Sequence, residues 1–208
     1  MEHAFCIEKI SGRADNGVLR QLAQIHKEEI DGGSLAKLGT RFLTRLYRAL
    51  SSSPHSFVIV ARQEEYVAGF ICGAIDARSV YRRFMLRRGL FTLPILLPQL
   101  VSPGRLQRVL ETLLYPSKKE HQNLPRPEIL SFCVTQRWQR RGLGRKLFGA
   151  LVGEFRERDV PRIKIVTGDK QTKAQMFYES LHATKAAEIE IHDGTTSLVY
   201  TYDIPDSE

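Results

Sequence analysis

Cysteine is scarce in this chain. Cys6, Cys72 and Cys133 are the only three in 208 residues, an odd and scattered set with no CxxC pair. That excludes a disulfide framework and fits free thiols in a reducing cytoplasm. The six histidines are also scattered, without HExxH or paired spacing, so no metal site is expected. No apolar run reaches the roughly 20 residues that a membrane span needs. The start, Met1 to Cys6, has neither a basic region nor a long apolar stretch, so no signal peptide is expected. No internal repeat is visible. The length fits one domain over residues 1–208, and an apolar content of 42% with 26% charged residues is ordinary for a globular protein with a full core.

A local absence is more pointed. From Ala77 to Leu110 there are seven Arg and no acid, and residues 77–127 hold ten Lys/Arg against two Glu. The rest of the chain carries 21 of each sign, so the net charge of +8 belongs to that segment. Two readings compete for it. One is a helical lid or homodimer contact that packs its apolar face on the body. The other is a basic amphipathic surface for an anionic membrane or a phosphate-bearing, lipid-linked acceptor, which would put a cytoplasmic protein at the inner face of the membrane. Nucleic acid is the weaker reading, because few aromatics interleave with the charge and no binding module surrounds it.

The periodicities outline the elements. Ala4–Ile10 reads as a strand, and Asp15 or Asn16 can cap a helix to about Ile30. Asp31–Ser34 breaks it, with Ser34 as the next cap. Leu35, Leu38, Phe42, Leu43, Leu46, Tyr47 and Leu50 then give a helical apolar stripe. Ser56–Ala61 and Tyr66–Ala74 read as a hairpin. A second insert helix is expected after Pro103, with Leu106, Val109, Leu110, Leu113 and Leu114 on one side. Strand Glu128–Thr135, helix Gly142–Arg158, strand Arg162–Thr167 and helix Gln171–Leu181 follow. Strands Lys185–His192 and Thr196–Tyr202 close the chain as a hairpin about Asp193-Gly194.

The chemistry concentrates after residue 127. A strand ending at Val134 runs through a bridge into Gln139-Arg-Arg-Gly-Leu-Gly144 and an amphipathic helix. A helix start leaves its first N–H groups unpaired, and these with the helix dipole favour an anion. Gly142 and Gly144 remove side chains that would block a phosphate, and Arg140, Arg141, Arg145 and Lys146 add positive charge. The pattern is neither a dinucleotide GxGxxG nor a P-loop. It reads as a pyrophosphate-binding helix start.

Gln-x-x-Gly-x-Gly behind a strand ending in Val resembles the acyl-CoA site of the GNAT superfamily of N-acyltransferases. A second motif, Lys173-Ala-Gln-Met-Phe-Tyr178, resembles the family's later helix, with Gln171 where Asn is usual and His182-Ala183 in place of the customary Gly-aromatic pair. The resemblance implies an α/β (α+β) GNAT fold, a mixed sheet of about seven strands flanked by helices, with residues 77–127 as an insert between strands 3 and 4. It implies acetyl-CoA or a short acyl-CoA as donor and a primary amine as acceptor. Phe132, Cys133 and Val134 would line the pantetheine arm, the Val134 N–H polarising the thioester carbonyl. Gln139, Arg140, Arg141, Gly142, Leu143, Gly144 and Lys146 would hold the pyrophosphate, with Phe177 beside them. Tyr178 would be the general acid. Glu128, fourteen residues before Gly142 as in the histone-acetyltransferase branch, would be the general base.

Each assignment has a plainer rival. Phe177 is readily a core aromatic, and Glu128 a solvated residue at a strand start. Cys133 could be a reactive thiol, but its neighbours are apolar and no local His or Asp would lower its pKa. His26, Glu29 and Asp31, at the exit of the first helix, are acceptor-binding candidates or simply exposed helix-end charges. The competing function class is a non-catalytic acyl-CoA-binding sensor or scaffold of the same fold.

Overall fold

The computed structural model describes residues 5–12, 14–30, 35–86, 124–192 and 195–206. Asp31, the proposed cap Ser34, the Asp193-Gly194 turn and all of the insert from 87 to 123, with its second helix, lie outside the described residues.

A seven-stranded sheet organises the chain, in the order β1-β2-β3-β4-β5-β7-β6. Its strands are β1 (Cys6–Ile10), β2 (Ser56–Gln63), β3 (Tyr66–Ala74), β4 (Glu128–Val134), β5 (Arg162–Gly168), β6 (Thr184–His192) and β7 (Thr195–Asp203). All neighbours are antiparallel except β4 and β5. A parallel pair needs a crossover, supplied here by the helix between those strands.

Helix α1 (Asn16–Glu29) begins where Asp15 accepts a hydrogen bond from the Gly17 N–H. A 3-10 turn, Ala36–Leu38, precedes α2 (Gly39–Ser52), so the second helix starts later than its apolar stripe suggests, at a glycine with φ +81°. Helix α3 runs from 77 to the last described insert residue, 86. Asp76 caps it, accepting from the Ser79 N–H and hydroxyl. Together α1, α2 and α3 cover one sheet face around Leu19, Leu22, Phe42, Tyr47, Phe70 and Phe84. The insert thus opens as a helix packed on the body, where Phe84 meets Phe42 edge-on.

The opposite face packs against α4 (Leu143–Arg156) and α5 (Thr172–Glu179) around Phe57, Ile71, Leu147, Phe155, Ile165 and Tyr200. The His182-Ala183 departure has a conformational reading. His182 sits at φ +67°, the left-handed region that a glycine takes most easily, and the Ala183 N–H donates back to the Tyr178 carbonyl. The α5 exit turn therefore forms with a histidine in the glycine's place.

Candidate active site

The site begins as a defect in the sheet. Pairing between β4 and β5 covers only Glu128↔Lys164 and Ile129↔Ile165, after which the strands separate. On the other side of β4, the register with β3 shifts across Leu130, between Cys72↔Ser131 and Gly73↔Ile129. A bulge re-aims the strand where pairing stops. Successive strand amides point to alternate sides. The Thr135 N–H donates to the Ala68 carbonyl on β3, so the Val134 N–H points away from β3, into the gap. The Val134 carbonyl, on the same side, accepts from Gln139 Nε2 at 2.9 Å.

Across the gap lies an orphan. Thr167 on β5 is 3% exposed, and its hydroxyl has no hydrogen-bond partner among the described residues. Tyr178 on α5 is buried, its ring packed against Phe132, Phe148 and Phe177. Burial, with Cys133 adding a smaller effect, pushes its phenol well above the ordinary tyrosine range, so it keeps its proton. Burial likewise holds the Cys133 thiol protonated, with the Glu29 charge adding to it, which removes the physical basis for a nucleophilic thiolate.

At the gap's mouth the chain enters α4. Gly142 caps the helix at φ +78°, a left-handed conformation with open space around it, and Arg140 takes φ +58° just before. The first intrahelical backbone bond is Lys146 N–H to the Gly142 carbonyl, leaving the amides of Leu143, Gly144 and Arg145 without backbone partners among the described residues. A Cβ on Gly144 would lie 3.4–3.5 Å from Phe177 and Phe132, so a bare α-carbon suits this contact. Arg140, Arg141, Arg145 and Lys146 are exposed around the helix start. The expected motif thus divides by role. Leu143 is a core residue, whereas Gln139 uses its side chain to tie the turn to β4. Arg137 and Arg141 stack on Trp138, and Arg145 Nη2 bonds Ser180, which fixes the end of α5 against the start of α4.

Glu128 lies at the closed end of the gap and is 6% exposed, not a solvated strand end. Its carboxylate meets Lys164 Nζ at 3.1 Å. Burial raises its pKa and Asp76 adds to the rise, while the Lys164 charge and hydrogen bond oppose it; burial wins. The result is a carboxylate with more affinity for a proton than an exposed one.

His26 and Glu29 are brought to the site, but as supports. His26 is 3% exposed with Nδ1 against the Tyr47 hydroxyl, and burial lowers its pKa to about 4, so it is neutral inside the core. Glu29 accepts from the Gln136 N–H at 3.0 Å and Gln139 Nε2 at 3.3 Å, pinning the turn that leads to Gly142. Neither side chain is a free acceptor ligand in this arrangement. Sequence reading missed Lys164, which meets Glu128, and Tyr81, which feels the Glu128 charge. One signal was available for Lys164, the charge within the apolar Ile163–Val166 run. Among the described residues no cluster of His, Cys, Asp and Glu could hold a metal ion.

Residues 110–183, which span β4, the glycine turn, α4, β5 and α5, match the acetyltransferase (GNAT) family model. Over that segment the chain is similar to the GNAT family. No curated protein matches it. Among solved structures, the ribosomal-protein-S18-alanine N-acetyltransferase of Escherichia coli is similar at 15% identity and TM-score 0.58, covering 99% of this chain and 97% of that one. NAA60 of Arabidopsis thaliana, solved with a bisubstrate analogue, is similar at 15% and 0.59, covering 98% and 100%. An aminoglycoside 6'-N-acetyltransferase complexed with coenzyme A gives 11% and 0.61, covering 98% and 99%. At such identities these likenesses establish the GNAT fold, with its mixed seven-stranded sheet and flanking helices. The family uses acyl-CoA.

Proposed function

We propose that the protein transfers an acetyl group from acetyl-CoA to a primary amine by direct attack of the amine on the thioester. The observation that carries this reading is the β4–β5 gap, with the bare-amide start of α4 at its mouth and the protonated Tyr178 beside it. The residues suit the donor. A pyrophosphate fits the amides of Leu143, Gly144 and Arg145 and the exposed arginines, and an extended amide-bearing arm fits the Val134 edge and the unpartnered Thr167 hydroxyl.

Each group then has a task. The Val134 N–H, fixed by the Thr135–Ala68 bond, donates to the thioester oxygen where negative charge develops. Glu128 accepts a proton from the acceptor ammonium. It lies six residues, about 20 Å of strand, from Val134, so the proton crosses through water. The free amine forms the C–N bond, the C–S bond breaks, and Tyr178 gives its proton to the departing sulfur; the second nitrogen proton is lost to water as the amide forms, and the phenol regains a proton from water. The acceptor enters from the α1–α3 face, which carries Glu128, Tyr81 and Ser131, and the opening of the insert narrows the choice of acceptor there.

The test is CoA release from acetyl-CoA with a panel of amines, including a peptide with N-terminal alanine and an aminoglycoside. The expected result is thiol release that needs both the amine and Tyr178. Acetyl-CoA binding without turnover on any amine favours the sensor reading instead.

A further inference from the structure

Glu128 and Lys164 form the first of only two β4–β5 pairs before the gap opens. The backbone fixes this register, since the Lys164 N–H donates to the Pro127 carbonyl at 2.8 Å. Both side chains are sheltered, the lysine 15% and the glutamate 8% exposed. The groups that face the carboxylate come from two elements, β5 and α3 with its cap. Lys164 lies on β5, Asp76 caps α3, and Tyr81 on α3 is buried and feels the Glu128 charge. Arg126, preceding β4, and His55 act on Asp76. The β3 residue paired with Glu128 is Ala74, which brings no charge. Of the charged neighbours, Lys164 alone is in salt-bridge contact with Glu128 among the described residues.

The physical consequence is specific. Burial and the Asp76 charge both favour the protonated acid here, and a protonated acid cannot take a proton from an amine. The Lys164 ammonium at 3.1 Å favours the charged form, yet burial still leaves the group more basic than an exposed glutamate. We infer that Lys164 is a positioning residue whose ammonium sets the charge state and orientation of Glu128 for proton removal from the acceptor. The inference rests on the reading of Glu128 as base. In the step it serves, one proton passes from the acceptor ammonium to a Glu128 oxygen, and the nitrogen lone pair becomes the nucleophile. Lys164 neither gains nor loses a proton.

A carbon-13 NMR titration of the glutamate carboxyl groups tests it, with Glu128→Gln used to assign the Glu128 signal. In Lys164→Met the Glu128 midpoint should rise by about one pH unit or more, and in Lys164→Arg it should stay near that of the native protein. An unmoved midpoint in Lys164→Met, in protein that still binds CoA, overturns the inference. Should Lys164→Met not fold, Lys164→Gln takes its place in the same titration. A rate measurement separates this failure from that of the base assignment. With an N-terminal-alanine peptide as probe, the acid limb of kcat/KM should move up with the midpoint in Lys164→Met and return in Lys164→Arg. A moved midpoint with an unmoved acid limb overturns Glu128 as base, and the positioning role with it.

Discussion

Replacing Tyr178 by Phe removes one oxygen from the centre of the site, and the structure separates its effects. The ring lies 5.5 Å from Phe177 and 6.4 Å from both Phe132 and Phe148, centroid to centroid, and none of these contacts involves the hydroxyl. No hydrogen bond to that hydroxyl exists among the described residues, so the usual loss of about 1 kcal/mol for a broken bond does not apply. Stability should therefore change by less than about 0.5 kcal/mol, roughly 1–2 °C in a chain of this size. CoA affinity should hold within about threefold, because the helix-start amides are untouched. Turnover is another matter. Positioned proton transfer contributes about 10² to 10⁴. A thiolate leaves more easily than an alkoxide, which puts the expected loss at about 10-fold to 100-fold, or 1.4–2.7 kcal/mol of barrier. The raised pKa also fixes the pH behaviour. A phenol held above its ordinary range stays protonated through pH 9, so Tyr178 contributes no alkaline limb below that. Thiol release at saturating acetyl-CoA, beside calorimetric CoA binding, reads both numbers. A native rate in Tyr178→Phe refutes the acid role, and a parallel loss of CoA binding refutes the separation of packing from chemistry.

Three further outcomes are expected. Gly142→Glu should abolish CoA binding, because it puts a charged side chain beside the free amides. It meets nothing within 4 Å, so only the φ of +78° costs stability, about 1–2 kcal/mol, and thermal melting with CoA titration checks both. Burial holds His26 at a pKa of about 4, below its unfolded 6.5, so the unfolded chain binds the extra proton and stability falls as pH drops from 6.5 toward 4. The loss is on the order of 3 kcal/mol, and His26→Phe should flatten that part of a urea-denaturation pH profile. Finally, the arginine-rich segment should carry the protein onto anionic vesicles at low salt and release it at high salt. Cosedimentation of the native protein and of a variant with Arg82, Arg83, Arg87 and Arg88 changed to Gln reads this, and equal binding by both favours the lid or dimer reading.

What could be read from the sequence follows from range of interaction. The Gly142 turn, the α4 stripe and the β2–β3 hairpin are local patterns, and each appears within a residue or two of its expected place. The exposed arginines and the two glycines of the helix start were equally local. Partners across the sheet were not. Glu128 read as a solvated end or a base because nothing in Pro127-Glu128-Ile129 shows that Lys164, 36 positions on, would be its register neighbour. His26 and Glu29 read as acceptor-binding candidates or exposed helix-end charges because a helix stripe does not reveal what packs on it. The structure puts Tyr47 against one and the Gln136–Gln139 turn against the other. Gln139 matched its motif, yet its side-chain bond to the Val134 carbonyl depends on how the bridge folds back.

The gap itself is the strongest argument that this sheet was shaped for a ligand. Interior backbone and hydroxyl groups are nearly always paired, and leaving one unpaired costs about 1–3 kcal/mol. Here β4 and β5 part after two residue pairs although both continue as extended strands, to Val134 and Gly168. Closing the pair would satisfy β4 amides on that side. Bulky residues oppose it, because Phe132 and Phe177 meet there at 5.4 Å and Tyr178 lies against them. The Thr167 hydroxyl on β5, without a partner among the described residues, is a second polar group on this side. Glu29 and Gln139 then brace the mouth of the gap at Val134 and the helix start. A chain that merely needed a stable sheet has no use for open edges braced from both ends. An extended, amide-rich molecule with a phosphate tail would satisfy them together, the arm along β4 and the tail at the start of α4.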